Sequence, residues 1–297
     1  MPWLRLIIEP GAVDPERLET ALDLLGAEAV SFEDAADEPI LEPGVGETPT
    51  WQHTRVAGLF SANTDTTRLA RDLENLLPSE TRLRYRFESL ADRDWELAWA
   101  EQARPLCFGN RLWICPDDRR PDSGTDAIHL QLPPGLAFGT GSHPTTAMCL
   151  EWLCAHVTEG ARVLDYGCGS GILALAAAAL DASSVTAVDN DPQALRATRE
   201  NAQVNQLQDR IRTLSPEAVE PGEDDGFDLV VANILAAPLI ELAPTLGRRL
   251  APGGQLALAG LLARQADEVC DAYAECLSIS VVQQDGDWVL LAGTRRP

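Results

Sequence analysis

From Ala161 to Gly171 the chain reads Ala-Arg-Val-Leu-Asp-Tyr-Gly-Cys-Gly-Ser-Gly, an apolar run that stops at three alternating glycines and passes into the Ala/Leu-rich stretch Ile172 to Leu180. This pattern predicts a strand, a tight turn and a helix in immediate succession. Glycines at such a turn free the backbone to bend and let a ligand approach the helix N-terminus without Cβ obstruction. The spacing departs from the dinucleotide fingerprint GxGxxG. The third glycine follows after the single residue Ser170, and Ile172 stands where that fingerprint requires glycine.

Two acidic residues frame the turn. Asp165 lies just before Gly167, and Asp189 ends a second predicted strand, Ser184 to Val188, 22 residues after Gly167. A carboxylate at that strand end can accept hydrogen bonds from both hydroxyls of a ribose. Asp191 followed by Pro192 has the form of an N-cap and first helical residue, which assigns Asp191 to structure and leaves Asp189 as the ligand candidate.

Beyond Arg104 strand and helix signals alternate, which predicts a parallel sheet covered by helices on both faces. Ahead of the glycine turn, Leu136-Ala-Phe-Gly-Thr-Gly-Ser-His-Pro-Thr-Thr146 delivers hydroxyls and backbone N–H groups to a helix predicted from Ala147 to Ala155, a setting suited to a carboxylate. Thr145 or Thr146 as a plain N-cap is the competing reading. After it, Phe227-Asp-Leu-Val-Val-Ala-Asn233 is an apolar strand ending in an amide. In a parallel sheet the carboxyl ends face the ligand crevice, so Asn233 is predicted beside Asp165 and Asp189, where its carbonyl can accept from an amine and aim the lone pair. Leu250-Ala-Pro-Gly-Gly254 predicts a turn, Gln255 to Ala259 a strand, Leu261 to Tyr273 a helix, and Asp285-Gly286 a closing hairpin.

The first 90 residues have a different texture. An apolar strand from Trp3 to Ile8, a helix from Pro15 to Leu25, strands at 55–60 and 83–88 and a helix at 66–77 predict a small α+β domain. Residues 1–50 hold 2 Arg against 12 Asp plus Glu, and the whole chain of 297 residues carries a net charge of −23. All 23 of its basic residues are Arg; there is no Lys. So acidic a surface excludes a protein built to neutralise nucleic-acid phosphates, and no direct nucleic-acid binding is expected. Seven scattered Cys without a CxxC pair, and no signal-peptide or membrane-spanning pattern, predict a reduced, cytoplasmic protein with no membrane contact and no metal site. A monomer is expected.

Strand, Asp-x-Gly-x-Gly-x-Gly, helix, strand, Asp resembles the motifs of class I S-adenosylmethionine-dependent methyltransferases. Taken with Ala137-Phe-Gly-Thr-Gly-Ser-His-Pro-Thr-Thr146, Asp189-Asn-Asp-Pro192 and Val231-Ala-Asn-Ile-Leu235, the chain resembles the PrmA-type ribosomal protein methyltransferases, which modify lysines and the N-terminal amine of large-subunit ribosomal protein eleven. Asp94-Trp-Glu-Leu-Ala-Trp99, Leu112-Trp-Ile-Cys-Pro116 and Asp287-Trp-Val289 extend the likeness over most of the chain after about residue 90. The resemblance implies a doubly wound, mostly parallel seven-stranded α/β sheet with a smaller ferredoxin-like N-terminal domain. It divides the chain into a substrate-recognition domain (1–90), a connecting helix (91–104) and an S-adenosyl-L-methionine-binding domain (105–297).

It further implies that Thr146, Gly167, Asp189 and Asn233 contact the cofactor, with Asp165 and Gly169 in the same turn, and that a large-subunit ribosomal protein is the partner, methylated up to trimethyllysine. Asn233 is the candidate for aligning the amine. Phe138 and Tyr166 are candidates to face the sulfonium through cation–π contact, with ordinary packing as the competing use. One departure narrows the acceptor: many amine and amide methyltransferases carry Asn-Pro-Pro-Tyr here, whereas Asn233 is followed by Ile234 and Leu235, so no aromatic clamp for a planar amide is present. A small-molecule N-methyltransferase using the N-terminal domain as a lid, and a module that binds the cofactor without transfer, are the alternatives.

Overall fold

A computed structural model describes residues 3–11, 13–36, 51, 53–78, 83–90, 104–121, 124–133, 141–219 and 226–296. The chain divides into two compact units, Met1–Asp94 and Trp95–Pro297.

In the first unit the order is β1 (Trp3–Glu9), α1 (Pro15–Leu24), β2 (Ala29–Asp34), β3 (Thr54–Ser61), α2 (Thr66–Leu76), β4 (Arg84–Leu90). The strands form an antiparallel sheet in the order β2-β3-β1-β4, the ferredoxin-like arrangement. Leu4, Leu6 and Ile8 alternate along β1 into a core shared with Leu18 and Leu22 of α1 and Leu69 and Leu73 of α2. Asp14 caps α1 by accepting from Glu16 N, and Asp65 caps α2 by accepting from Thr67 N and Arg68 N. Sequence reading passed over β2, an edge strand that buries none of its six residues fully, offers only Val30 and Phe32 to the core and ends in Glu33 and Asp34.

The second unit opens with a small sheet of β5 (Leu106–Phe108), β6 (Leu112–Cys115) and β7 (Ile128–Gln131). Its main sheet comprises β8 (Arg162–Tyr166), β9 (Ser184–Val188), β10 (Ile211–Leu214), β11 (Phe227–Asn233), β12 (Leu250–Leu262), β13 (Leu277–Asp285) and β14 (Trp288–Arg295), in the order β10-β9-β8-β11-β12-β14-β13. The first five of these are parallel neighbours, while β14 runs antiparallel to both β12 and β13. Among the described residues, five helices accompany them: α3 (Pro144–His156), α4 (Ile172–Ala179), α5 (Pro192–Val204), α6 (Ala236–Arg249) and α7 (Ala266–Tyr273).

Central strands are buried on both faces, which explains their near-continuous apolar sequence. Val163 of β8 and Leu229 and Val231 of β11 pack with α3 and α4, while Leu164, Val230 and Ala232 pack with α6 and α7. The chain runs outward from β8 to β10, then returns to lay β11 on the other side of β8. This reversal is a topological switch point, and a crevice forms there outside the strands' carboxyl ends.

Three boundaries differ from expectation. Helix α3 begins at Pro144 with His143 as N-cap, because the His143 side chain accepts from Thr145 N and Pro144 supplies the first helical φ. The Leu250–Gly254 turn is instead a bulge inside β12: β11 pairs Phe227 with Leu250 and then Leu229 with Gln255. Strand β12 also runs on to Leu262, so the expected Leu261–Tyr273 helix shortens to α7 preceded by a 3-10 turn at Ala263–Gln265. The β13–β14 hairpin is tight, with Gly286 at φ +58°. Residues 91–103 of the predicted connecting helix lie outside the described residues. No helix among the described residues is long and apolar enough to cross a membrane.

Candidate functional site

Strand β8 ends at Tyr166 and the chain turns through Gly167, Gly169 and Gly171, with φ of +82°, +53° and +81°. A side chain is excluded here by space as well as by conformation. A Cβ on Gly167 would overlap Ile234 Cγ2, and one on Gly171 would lie 2.7 Å from Thr198 Cγ2. The turn is tied to the next strand because Gly167 N and Cys168 N both donate to Val188 O, at 2.7 and 3.0 Å. Helix α5 holds its other side: Thr198 Oγ1 donates to Gly169 O at 3.1 Å and Asn201 Nδ2 to Ser170 O at 2.8 Å. With these carbonyls occupied, the turn is tied down on both sides at the switch point.

Asp189, at the end of β9, is partly exposed and accepts from two backbone amides: Gly169 N reaches Oδ2 and Asp191 N reaches Oδ1, both at 2.9 Å. Each oxygen retains a further lone pair, so the carboxylate is fixed in direction while still able to receive two hydroxyls. Asp191 caps α5 by accepting from Gln193 N at 2.8 Å, ahead of Pro192.

Asp165 is wholly buried. Gly171 is the N-cap of α4 and has no side chain to offer, and Asp165 Oδ2 supplies the cap by accepting from Ala174 N at 3.0 Å. Its Oδ1 has no hydrogen-bond partner among the described residues. Burial pushes this carboxyl up to about 7, opposed by the Ala174 amide and reinforced by the nearby Asp189 charge. Burial likewise pushes the Cys149 and Cys168 thiols well above the usual range, which keeps both uncharged.

Across the switch point, Asn233 at the end of β11 donates through Nδ2 to Thr146 Oγ1 at 3.1 Å. Thr145 and Thr146 are both buried. His143, the cap, shares a 2.7 Å hydrogen bond between Nδ1 and Thr145 Oγ1 and packs edge-on against Trp288, ring centroids 4.9 Å apart. Desolvation lowers its pKa, favouring the neutral ring. Gly260 of β12, at φ +84°, has room only for hydrogen, since a Cβ there would overlap Ile234 O. Gly167 and Gly260 thus hold the residue after Asn233 between two bare backbones.

The structure therefore gathers Asp165, Gly167, Gly169 and Asp189 at one sheet edge and brings Thr146 to Asn233. Phe138 and the 134–140 part of the upstream loop lie outside the described residues. Tyr166 packs partly buried beside the α6 and α7 core. Thr198, Asn201 and Gly260 escaped sequence reading. The first two sit three apart on an amphipathic helix and carry no local signature, whereas Gly260 inside a strand pattern is the kind of isolated glycine that marks a bulge or close approach. Among the described residues no group of three His, Cys, Asp or Glu side chains is gathered to hold a metal ion.

A seven-stranded sheet with an antiparallel seventh-strand insertion, a glycine cradle at the switch point and an acid on the neighbouring strand define a class I methyltransferase, a class whose members use S-adenosylmethionine. The residues present fit such a group: Asp189, held by two backbone amides, keeps lone pairs that could receive ribose hydroxyls. The chain belongs to the ribosomal protein L11 methyltransferase (PrmA) family, whose family model matches residues 2–296. It is similar to the ribosomal protein L11 methyltransferase of Methylococcus capsulatus, 48% identical with 99% of each chain covered, and to that of Edwardsiella ictaluri, 44% identical over the whole of both chains. Among solved structures, the ribosomal protein L11 methylase of Lactobacillus delbrueckii subsp. bulgaricus matches with a TM-score of 0.60 and 34% identity, covering 66% of this chain and 100% of that one.

Proposed function

We propose that this chain transfers methyl groups from S-adenosyl-L-methionine to lysine side-chain amines, and to the N-terminal amine, of ribosomal protein L11, up to trimethyllysine. The observation that supports this reading is the Asn233–Thr146 contact, made at the end of a strand whose next residue, Ile234, packs against Gly167 of the glycine turn, in a chain of this family.

When bound, the cofactor supplies a methyl group on an electrophilic sulfonium, so the protein's work is binding, orientation and exclusion of water. In this reading Gly167, Gly169 and the rest of the turn line the methionyl part, and Asp189, anchored by two amides, takes the ribose hydroxyls through its remaining lone pairs. The amide of Asn233 spends a donor on Thr146, which turns its carbonyl into a fixed acceptor for the incoming amine. A free lysine amine has a pKa of about 10.4 and must shed a proton before its lone pair can attack; desolvation on entry lowers that pKa. An amine accepting direction from one carbonyl can rotate between turnovers, as repeated methylation requires. His143 has Nδ1 committed to Thr145 and acts as a cap rather than a base.

The first unit presents the protein substrate. Its acidic sequence, 2 Arg against 12 Asp plus Glu in residues 1–50, complements a basic, lysine-bearing client. Incubating the purified chain with S-adenosylmethionine and ribosomal protein L11, followed by mass spectrometry, tests the proposal. Mass increments of methyl groups on lysines support it. An unmodified L11 alongside methylated small amines would establish the small-molecule alternative instead.

A further inference from the structure

Leu235 is 55% exposed, more than any other large hydrophobic residue described in the second unit, and it stands two positions after Asn233. Its position is also an unusual one for leucine. It is the N-cap of α6, where the preferred residues carry a side-chain oxygen for the free amides of the first turn. Most helices of this chain follow that preference: the side chains of Asp14, Asp65, His143 and Asp191 cap α1, α2, α3 and α5, and Asp165 caps α4. The other uncapped helix, α7, continues a 3-10 turn that precedes it. Leu235 makes no cap hydrogen bond, no acid lies in the first turn of α6, and Ala237 and Pro238 beyond it are exposed as well. Neither burial nor helix initiation accounts for leucine here.

The backbone fixes where this apolar patch lies. Ile234, between Asn233 and Leu235, is held against Gly167 on one side and Gly260 on the other, and its N–H donates to Ala259 O at 3.2 Å. Two residues of chain span at most about 7 Å, so Leu235 stays within that reach of Asn233 at the carboxyl edge of the sheet. A lysine carries its amine on a flexible four-carbon stem, which is apolar and of similar reach.

We propose that Leu235 is a specificity residue for the amine acceptor: its side chain packs along the alkyl stem of a lysine held at Asn233 and keeps the amine in apolar surroundings. Desolvation there favours the neutral amine, whose lone pair attacks, whereas a carboxylate in the usual capping position would hold the ammonium form. The leucine thus gives up a helix cap in favour of the acceptor. An N-terminal amine has no such stem and gains less from the contact. This inference rests on the lysine methyltransferase reading above.

The wild-type chain, Leu235→Ser and Leu235→Met are compared on ribosomal protein L11, with lysine and N-terminal methylation counted separately by mass spectrometry, cofactor Kd measured by calorimetry and Tm by thermal melt. Serine is the better cap, so Leu235→Ser is expected to melt no lower than wild type and to bind S-adenosylmethionine unchanged. Its kcat/KM for lysines is expected to fall about tenfold, with a smaller fall for the N-terminal amine. Methionine keeps the apolar volume, and Leu235→Met is expected within about threefold of wild type. Wild-type rates on lysine in Leu235→Ser, a loss shared equally by the two kinds of amine or by Leu235→Met, or a loss that comes with a weaker cofactor Kd or a lower Tm each overturn the proposal and leave the methyltransferase reading standing. Where lysines alone are modified, the contrast between serine and methionine decides. A wild-type chain that leaves L11 unmodified overturns the underlying reading, and this inference with it.

Discussion

Asn233 Nδ2 donates to Thr146 Oγ1 at 3.1 Å, joining residues 87 positions apart. One lies at the end of a strand and the other in the first turn of a buried helix, so the amide is gripped from a rigid element. Positioning of a reacting amine through this contact gives the site its first test. Asn233→Ala is expected to lower kcat by about a hundredfold, the scale of a misplaced reactant, with a smaller change in cofactor affinity. Thr146→Val is expected to lower kcat by about tenfold and Thr146→Ser to restore it, since serine keeps the acceptor. Steady-state kinetics beside calorimetric Kd values check this; a larger effect on Kd than on kcat would make Asn233 chiefly a cofactor ligand.

Asp189 joins the cradle to the proposed ribose position. Asp189→Ala removes both the amide anchor at Gly169 and the acceptor for two hydroxyls, and is expected to weaken cofactor binding by about 1–3 kcal/mol. Calorimetry reads this directly, and unchanged affinity contradicts the assignment.

Gly167 is held at φ +82°, and a Cβ there would overlap Ile234 Cγ2. Gly167→Ala is expected to cost about 1–3 kcal/mol of stability. For a unit of this size the Tm falls by about 2–10 °C, and a thermal melt that does not move would show the turn to be more yielding than its packing implies.

Burial of Asp165 also makes stability depend on pH. Its carboxyl rises from an ordinary 3.8 to about 7 in the folded chain, so between those values the folded state binds more protons than the unfolded one. Stability from this group is full below 3.8, declines as pH rises and is lost once pH passes about 7. Thermal melts of the cofactor-free chain between pH 5 and pH 8 are expected to fall more steeply for wild type than for Asp165→Asn. Parallel curves for the two chains would count against a raised Asp165.

The unit Trp95–Pro297 contains its own two core clusters. A chain lacking residues 1–90 is therefore expected to bind S-adenosylmethionine as the full chain does and to lose methylation of ribosomal protein L11. Retained protein methylation would remove the first unit from substrate recognition.

Much of the glycine turn was legible because its geometry is local. Alternating glycines after an apolar strand demand a positive-φ turn whatever surrounds them, and Asp191-Pro192 is a helix start on its own terms. Boundaries were less legible where a local pattern met a tertiary demand. The apolar run after Gly254 continues to Leu262 as strand because Leu261 and Leu262 pair with Val289 and Trp288 of β14, partners that no window around residue 261 contains. His143 likewise takes the cap that two threonines seemed to offer, since Trp288 packs against its ring and leaves the threonine side chains buried.

The sequence by itself determined the turn, its two flanking acids and the α/β alternation, because each rests on short-range sterics and periodicity. Only the tertiary structure decided what those residues do for one another. Laying β11 beside β8 brings Asn233 to Thr146 and Ile234 into the space that Gly167 and Gly260 leave open. The same packing seals Asp165 in an interior where one of its oxygens has no partner among the described residues. Those relationships depend on which strands become neighbours and on how much water the packed faces exclude, quantities that exist only once the chain has closed on itself.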